Sequence, residues 1–181
     1  TNVIEADLDG NGAKETVVGD SQSVTVYGAD GKTRASFQPY GAAYSSGVEI
    51  AVGDLDSDGR QEIVTGTGTG GGPQVRVFSA DGKPWGPGFF AYDPRSRGGV
   101  SVAVLVEKKG AKGVIVTGAG AGGLPLVRFF TPEGAMAKTG VFAYDLRFRG
   151  GVRVATGDVD GDGTREVVTG AGAGGGPHVR I

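Results

Sequence analysis

Three short turns carry the side chains most able to do chemistry. Acidic or amide groups stand at positions 1, 3, 5 and 9 of each: Asp7, Asp9, Asn11 and Glu15; Asp54, Asp56, Asp58 and Glu62; Asp158, Asp160, Asp162 and Glu166. Glycine holds position 6 in all three. Carboxylates this close repel one another unless a cation lies between them. Hard oxygen donors on a flexible loop suit Ca²⁺ better than Mg²⁺, which demands stricter octahedral geometry. Position 7 would add a backbone carbonyl, from Ala13, Arg60 and Thr164. An EF-hand is excluded, because its loop needs a bidentate Glu at position 12 between helices. Position 12 here is Val18, Thr65 or Thr169, with strand-like flanks. The plainer alternative is an Asp/Gly-rich surface hairpin, and three copies in one register weigh against it. A metal in such turns would act structurally, tying one strand to the next and stabilising the fold by mass action.

The turns sit on a repeat. VEIAVGDLDSDGRQEIVTG begins at Val48, VSVAVLVEKKGAKGVIVTG at Val100 and VRVATGDVDGDGTREVVTG at Val152, a step of 52 residues each time. A looser copy, NVIEADLDGNGAKETVVG, opens at Asn2. Such self-similarity means one supersecondary unit used repeatedly. In the second copy, Val48–Val52, Glu62–Thr65, Gln74–Phe78 and Gly88–Tyr92 read as short strands. A glycine loop ending at Pro73 and an Asp-Gly hairpin turn separate them. The expected fold is therefore all-β: a β-propeller of four-stranded antiparallel blades, about 52 residues each, divided as 1–47, 48–99, 100–151 and 152–181. A β-helix would need shorter coils, and a sandwich would not explain the period. The visible pattern holds three full blades and three strands of a fourth. Further chain or a second copy is expected to complete it. The absence of an initial Met before Thr1 suggests a trimmed chain or a fragment.

The third copy has lost its acidic turn. Lys108 and Lys109 fall in its counterpart, VEKKGAK, so no metal is expected there. With these motifs in hand, the chain resembles the FG-GAP/VCBS-type calcium-binding propeller repeats of integrin α-subunits and many secreted bacterial proteins. The residues carrying the resemblance are the D-x-D-x-D-G-x-x-E turns at 54–62 and 158–166, GAGAGGGPHVR at 170–180, and FAYD at 90–93 and 142–145. It spans essentially the whole chain. It implies one Ca²⁺ per intact turn, about three sites, with a mild departure at Asn11.

Other residues repeat too. Arg76, Arg128 and Arg180 share the step, as do Asp93 and Asp145; in the first copy Thr25 and Gly41 replace both. The expectation is an Arg–Asp pair bridging strands or blades, with an anion-binding arginine ring as the alternative. Tyr40, Tyr92 and Tyr144 are equally spaced and read as packing groups rather than ligand stackers. Arg95, Arg97, Arg147 and Arg149 read as solvated loop charges, with a basic rim for acidic glycans as the alternative. The glycine loops could nest an anion, but none matches a nucleotide fingerprint. The sole histidine, His178, aligns with Gln74 and Leu126, a generic strand position, and supports no triad or zinc site. A glycosidase-like carboxylate pair is left open, although the metal reading already accounts for the clustered acids.

Composition narrows the rest. A net charge of −2 gives no electrostatic case for nucleic acid or anionic membrane. No apolar run approaches the roughly 20 residues of a membrane helix. There is no cysteine, hence no disulfide or thiolate site. The sequence thus points to a non-enzymatic, calcium-binding extracellular or cell-surface module for adhesion, scaffolding or ligand binding, facing a protein or glycan. The alternatives are a lectin-like propeller with sugar pockets between blades, or an accessory propeller of a secreted hydrolase.

Overall fold

The computed structural model describes residues 1–108 and 110–181; Lys109, one of the two lysines of the third turn, lies outside them. Among the described residues, fifteen strands form four antiparallel sheets, each a simple meander of consecutive strands. The first sheet holds β1 (Asn2–Ala6), β2 (Glu15–Gly19), β3 (Val24–Tyr27) and β4 (Thr33–Phe37). The second holds β5 (Val48–Gly53), β6 (Glu62–Thr67), β7 (Gln74–Phe78) and β8 (Phe89–Phe90). The third holds β9 (Val100–Leu105), β10 (Val114–Ala119), β11 (Leu126–Phe130) and β12 (Met136–Phe142). The fourth holds β13 (Val152–Gly157), β14 (Glu166–Ala171) and β15 (Val179–Arg180). These are the blades of a β-propeller, arranged as an arc.

Burial explains the strand compositions. The first strands of successive blades, β1, β5, β9 and β13, adjoin one another and lie innermost. The two middle blades have a neighbour on each face, so β6 and β9 are buried at every position. That is why VSVAVL is an uninterrupted apolar-and-small run rather than an alternating one. In β2 the ordinary alternation persists. The outer faces of the end blades stay open: β1 is largely exposed and β15 fully so.

Three apolar layers cement the four blades. Val17, Val24, Ile50 and Ile63 lie between the first and second, Val64, Val75, Val102 and Ile115 between the second and third, and Val116, Val127 and Val152 between the third and fourth. Glycine in the second strand permits this spacing: a Cβ at Gly66 would stand 2.6 Å from the Val100 carbonyl oxygen of the next blade. Aromatic pairs cross two of the layers, Phe37–Phe78 at 4.6 Å and Phe89–Phe130 at 4.8 Å between centroids.

The repeated tyrosines latch the blades. Tyr40 donates to Gln74 O (3.2 Å), Tyr92 to Leu126 O (2.8 Å) and Tyr144 to His178 O (2.9 Å), each in the following blade. Burial pushes the Tyr40 and Tyr92 hydroxyls well above the usual phenol range. In the second and third blades the same latch ends the fourth strand two residues before the tyrosine, at Phe90 and Phe142. Pairing expected over Gly88–Tyr92 covers only Phe89–Phe90: Tyr92 turns out of the sheet to reach its neighbour, and Gly88 stands at φ 80°.

Candidate metal centre

All three acidic turns lie between the first and second strands of their blades, and all three adopt one geometry. The position-1 carboxylate accepts the N–H of position 6: Gly12 to Asp7 at 2.8 Å, Gly59 to Asp54 at 3.0 Å, and Gly163 to Asp158 at 3.0 Å. Position 3 accepts from position 5, with Asn11, Asp58 and Asp162 donating to Asp9, Asp56 and Asp160. Position 5 in turn accepts from position 7, with Ala13, Arg60 and Thr164 donating to Asn11, Asp58 and Asp162. Position 9 reaches back to position 2: Glu15 to Leu8 N–H at 2.9 Å, Glu62 to Leu55 N–H at 2.8 Å, and Glu166 to Val159 N–H at 2.9 Å. The backbone amides thus hold four side chains on one loop in fixed directions.

The fold of the loop depends on two left-handed residues. Position 6 is always glycine, and position 4 is Gly10, Ser57 or Gly161. Ser57, at φ 71°, is the only non-glycine residue with positive φ among the described residues. An L side chain there is strained, and the loop tolerates it only where the other two copies use glycine.

Three groups of carboxylates converge closely enough to share one ion: Asp7, Asp9 and Glu15; Asp54, Asp56 and Asp58; Asp158, Asp160 and Glu166, the oxygens of each set lying within 4.8 Å of one another. Glu62 is buried beside the second set. Burial, then the charges of Asp56, Asp58 and Asp54, raise its carboxyl to about 7, against a lowering by the Leu55 N–H. A cation would relieve that repulsion. The donor sets of the second and fourth turns fit a hard divalent ion.

The first turn differs. Arg34 on β4 brings Nη1 to 3.1 Å from Asp9 Oδ2 and 2.9 Å from Glu15 Oε1. A guanidinium of the chain itself therefore neutralises part of this cluster. In the third turn, Val106, Lys108, Gly110 and Val114 stand at positions 1, 3, 5 and 9. Glu107 there is paired with Lys138, which draws its carboxyl below the usual range. Among the described residues no metal-sized cluster forms in this turn. The turns also support one another along the rim, through Gln61 N–H to Leu8 O, Gly113 N–H to Asp54 O and Arg165 N–H to Glu107 O.

The repeated arginines and aspartates do not pair as expected. Arg76 donates to the Pro39 carbonyl and Arg128 to the Ala91 carbonyl at 2.8 Å, both in the preceding blade. Arg128 and Arg180 also lie over the rings of Tyr92 and Tyr144, at 5.2 and 5.5 Å. The aspartates instead bind the arginines two residues on, Asp93 with Arg95 and Asp145 with Arg147. These bonds lower both carboxyls to about 2. A carbonyl lies nearer the strand interior than the loop carboxylate does, and the flat guanidinium can reach it while stacking on the ring. Arg97 and Arg149 donate to carbonyls of their own loops. His178 is exposed, with Arg180 Nε 3.4 Å from its Nε2.

Residues 7–65 match the FG-GAP-like repeat family. That stretch is similar to an FG-GAP-like repeat. The matched stretch runs from Asp7 through β6 and so takes in the first two acidic turns. A comparison with curated proteins gives no match. Among solved structures, the chain is similar to the exotype rhamnogalacturonan lyase YesX, with TM-score 0.64, 16% identity, and coverage of 94% of this chain and 39% of that one. It is also similar to the rhamnogalacturonan lyase YesW, with TM-score 0.63, 16% identity, and coverage of 94% and 40%. The chain spans about two fifths of those lyases. At this identity the likeness is one of fold, and the shared fold is that of propeller blades. Among the described residues no helix is long and apolar enough to cross a membrane.

Two features escaped the sequence reading. One is Arg34, whose contact with the first turn leaves no motif. The other is an ion pair across the axis, Arg153 Nη1 to Glu49 Oε1 at 2.9 Å, joining blades two and four. Asn2 also donates to Glu49 at 3.3 Å. Asn2, Glu49, Ser101 and Arg153 hold the same place in the four repeats. Their differing chemistry is the signal that was available.

Proposed function

We propose that this chain is a calcium-stabilised, non-catalytic propeller module of an extracellular or cell-surface protein, whose loops present contacts to a protein or glycan. The observation behind this reading is the common amide-organised geometry of the three acidic turns, set against a third-blade turn that has no acid at positions 1, 3, 5 or 9. Asp54, Asp56, Asp58 and Glu62, and Asp158, Asp160, Asp162 and Glu166, are the side-chain ligands of the two principal sites, with the Arg60 and Thr164 carbonyls completing them. Asp7, Asp9, Asn11, Glu15 and the Ala13 carbonyl form a third site that must compete with Arg34. The ion's chemistry is charge neutralisation, and the turns fix the first strand of a blade to its second. Extracellular modules bind Ca²⁺ at about 10⁻⁴–10⁻³ M, so about 2 mM Ca²⁺ would stabilise the fold by about 0.6–1.8 kcal/mol per site. Scanning calorimetry in calcium and in chelator tests this. The midpoint should rise in calcium for the wild type and by less than half as much for a D54N/D158N double variant, which keeps only the first turn. An unchanged wild-type midpoint would overturn the reading.

A second reading has one observation in its favour: nearly the whole chain overlays part of the two rhamnogalacturonan lyases. On that reading the propeller is one part of a larger carbohydrate-active protein. Calorimetric titration with rhamnogalacturonan fragments tests this second reading: saturable heat is expected, and its absence would overturn it.

A further inference from the structure

Each blade sends the loop beyond its fourth strand onto the glycine loop of the next blade, and these junctions are not equivalent. In the first junction that loop carries Tyr44, edge-on to Tyr40 with ring centroids 5.0 Å apart. The Tyr44 hydroxyl donates to Gly47 O at 2.7 Å and accepts the Gly68 N–H at 2.8 Å. Gly71 clears space for the ring: a Cβ there would stand 3.0 Å from Tyr44 Cε2. The last junction repeats the arrangement with Phe148, which lies 5.7 Å from Tyr144. A Cβ at Gly175 would stand 3.1 Å from Phe148 Cε2.

In the middle junction the corresponding residue is Ser96. Its partner glycine, Gly123, faces no ring; the nearest atoms to a Cβ there are Gly120 O at 3.2 Å and the Ala119 Cβ at 3.4 Å, both in its own blade. The missing ring leaves a pocket of about 210 Å³ between Tyr92, Ser96, Ala119, Gly123, Leu124 and Leu126. Leu124 replaces the glycine of the other copies, Gly72 and Gly176, yet is 44% exposed and forms an edge of the pocket rather than filling it.

We propose that this pocket binds a phenol ring supplied from outside the blade pair, either as a free small molecule or on a tyrosine side chain. The size fits, since an apolar cavity of about 150 Å³ accepts benzene. The walls are mostly apolar, which suits an aromatic ring better than a hydroxylated sugar. The neighbouring junctions show the chemistry that belongs in the place: the chain's own aromatic rings. The polar end is specified as well. Gly99 and Gly120 are the counterparts of Gly47 and Gly68, which hold the Tyr44 hydroxyl, and both line the pocket. The inference does not depend on calcium binding, and the calcium reading could fail with this one intact.

The test titrates the wild-type chain, in ¹H–¹⁵N correlation spectra, with p-cresol as the free ring and N-acetyltyrosinamide as the chain-borne ring. Saturable shifts are expected at the Gly99, Gly120 and Gly123 amides, with a Kd of about 1 mM or tighter for at least one probe. The tighter of the two identifies the source. Toluene, lacking the hydroxyl, should bind at least threefold more weakly. In an S96F variant the pocket is filled from within, as Phe148 fills its own. That variant should lose at least tenfold in affinity for p-cresol and gain in thermal midpoint. Absence of saturable shifts in the wild type at about 10 mM of either probe, or undiminished binding by folded S96F, would overturn the proposal. The wild-type titration decides it even if S96F does not fold.

Discussion

Glu62 should destabilise the metal-free protein and calcium should offset that penalty, so Glu62→Gln is expected to stabilise in chelator and to lose its advantage in calcium. The side chain is 4% exposed and its carboxyl is raised from its ordinary 4.5 to about 7. Below pH 4.5 it is protonated in both folded and unfolded chains and carries no penalty. As pH rises through 7, the folded chain must hold a charge that burial and the neighbouring aspartates oppose, and stability is lost. At 1.36 kcal/mol per pH unit the rise corresponds to about 3 kcal/mol. The turn borders bulk water, and screening reduces this to about 1–2 kcal/mol. Glutamine keeps an oxygen for the Leu55 N–H, held at 2.8 Å in the native loop, and removes the charge. For a chain of this length 1 kcal/mol moves the midpoint by about 2–4 °C. In chelator at pH 8, E62Q should therefore melt about 2–8 °C above wild type, and the gap should close at pH 4.5. In about 2 mM Ca²⁺ the gap should narrow to near zero, because the wild type gains the ion's stabilisation at this site and the variant, having lost a charged ligand, gains less. Scanning calorimetry over the four conditions reads all of this. An E62Q midpoint that follows wild type in both calcium and chelator would refute the reasoning.

Other outcomes follow from the same geometry. Ser57→Gly removes a strained side chain from a left-handed position and should stabilise by about 0.5–1 kcal/mol, measured as a shift of the urea midpoint at constant slope. Arg34→Gln removes the internal cation of the first turn. Calorimetric titration should then show that turn binding Ca²⁺ more tightly than in wild type, while affinity at the second and fourth turns stays the same. Tyr92→Phe strips the hydroxyl that bonds Thr117 O and Leu126 O across the second and third blades. It should cost about 1–3 kcal/mol in urea denaturation.

The acidic turns were legible because their chemistry is local. Positions 1, 3, 5, 6 and 9 each contribute a group to bonds that close within the loop, so spacing in the sequence is spacing in the structure. The blade was legible for a similar reason: a meander joins neighbours in sequence. Contacts that reach the backbone of another blade were not. Arg76 and Asp93 repeat in step, yet the arginine takes a carbonyl, and carbonyls leave no mark in a sequence. The Glu49–Arg153 pair spans 104 residues and rests on a position where every repeat differs, which a search for similarity discards. Ser96 shows the converse. The substitution is plain once Tyr44, Ser96 and Phe148 are aligned, but its meaning needed the glycine opposite and the space between them.

Calcium in the acidic turns can be observed directly. The most direct measurement is a crystal structure grown in about 2 mM CaCl₂. It should place one ion in each of the turns 54–62 and 158–166, with carboxylate and carbonyl oxygens at about 2.3–2.6 Å, and none in the turn that contains Lys108. Water in all the turns, or an ion bound equally in the turn that contains Lys108, would contradict it.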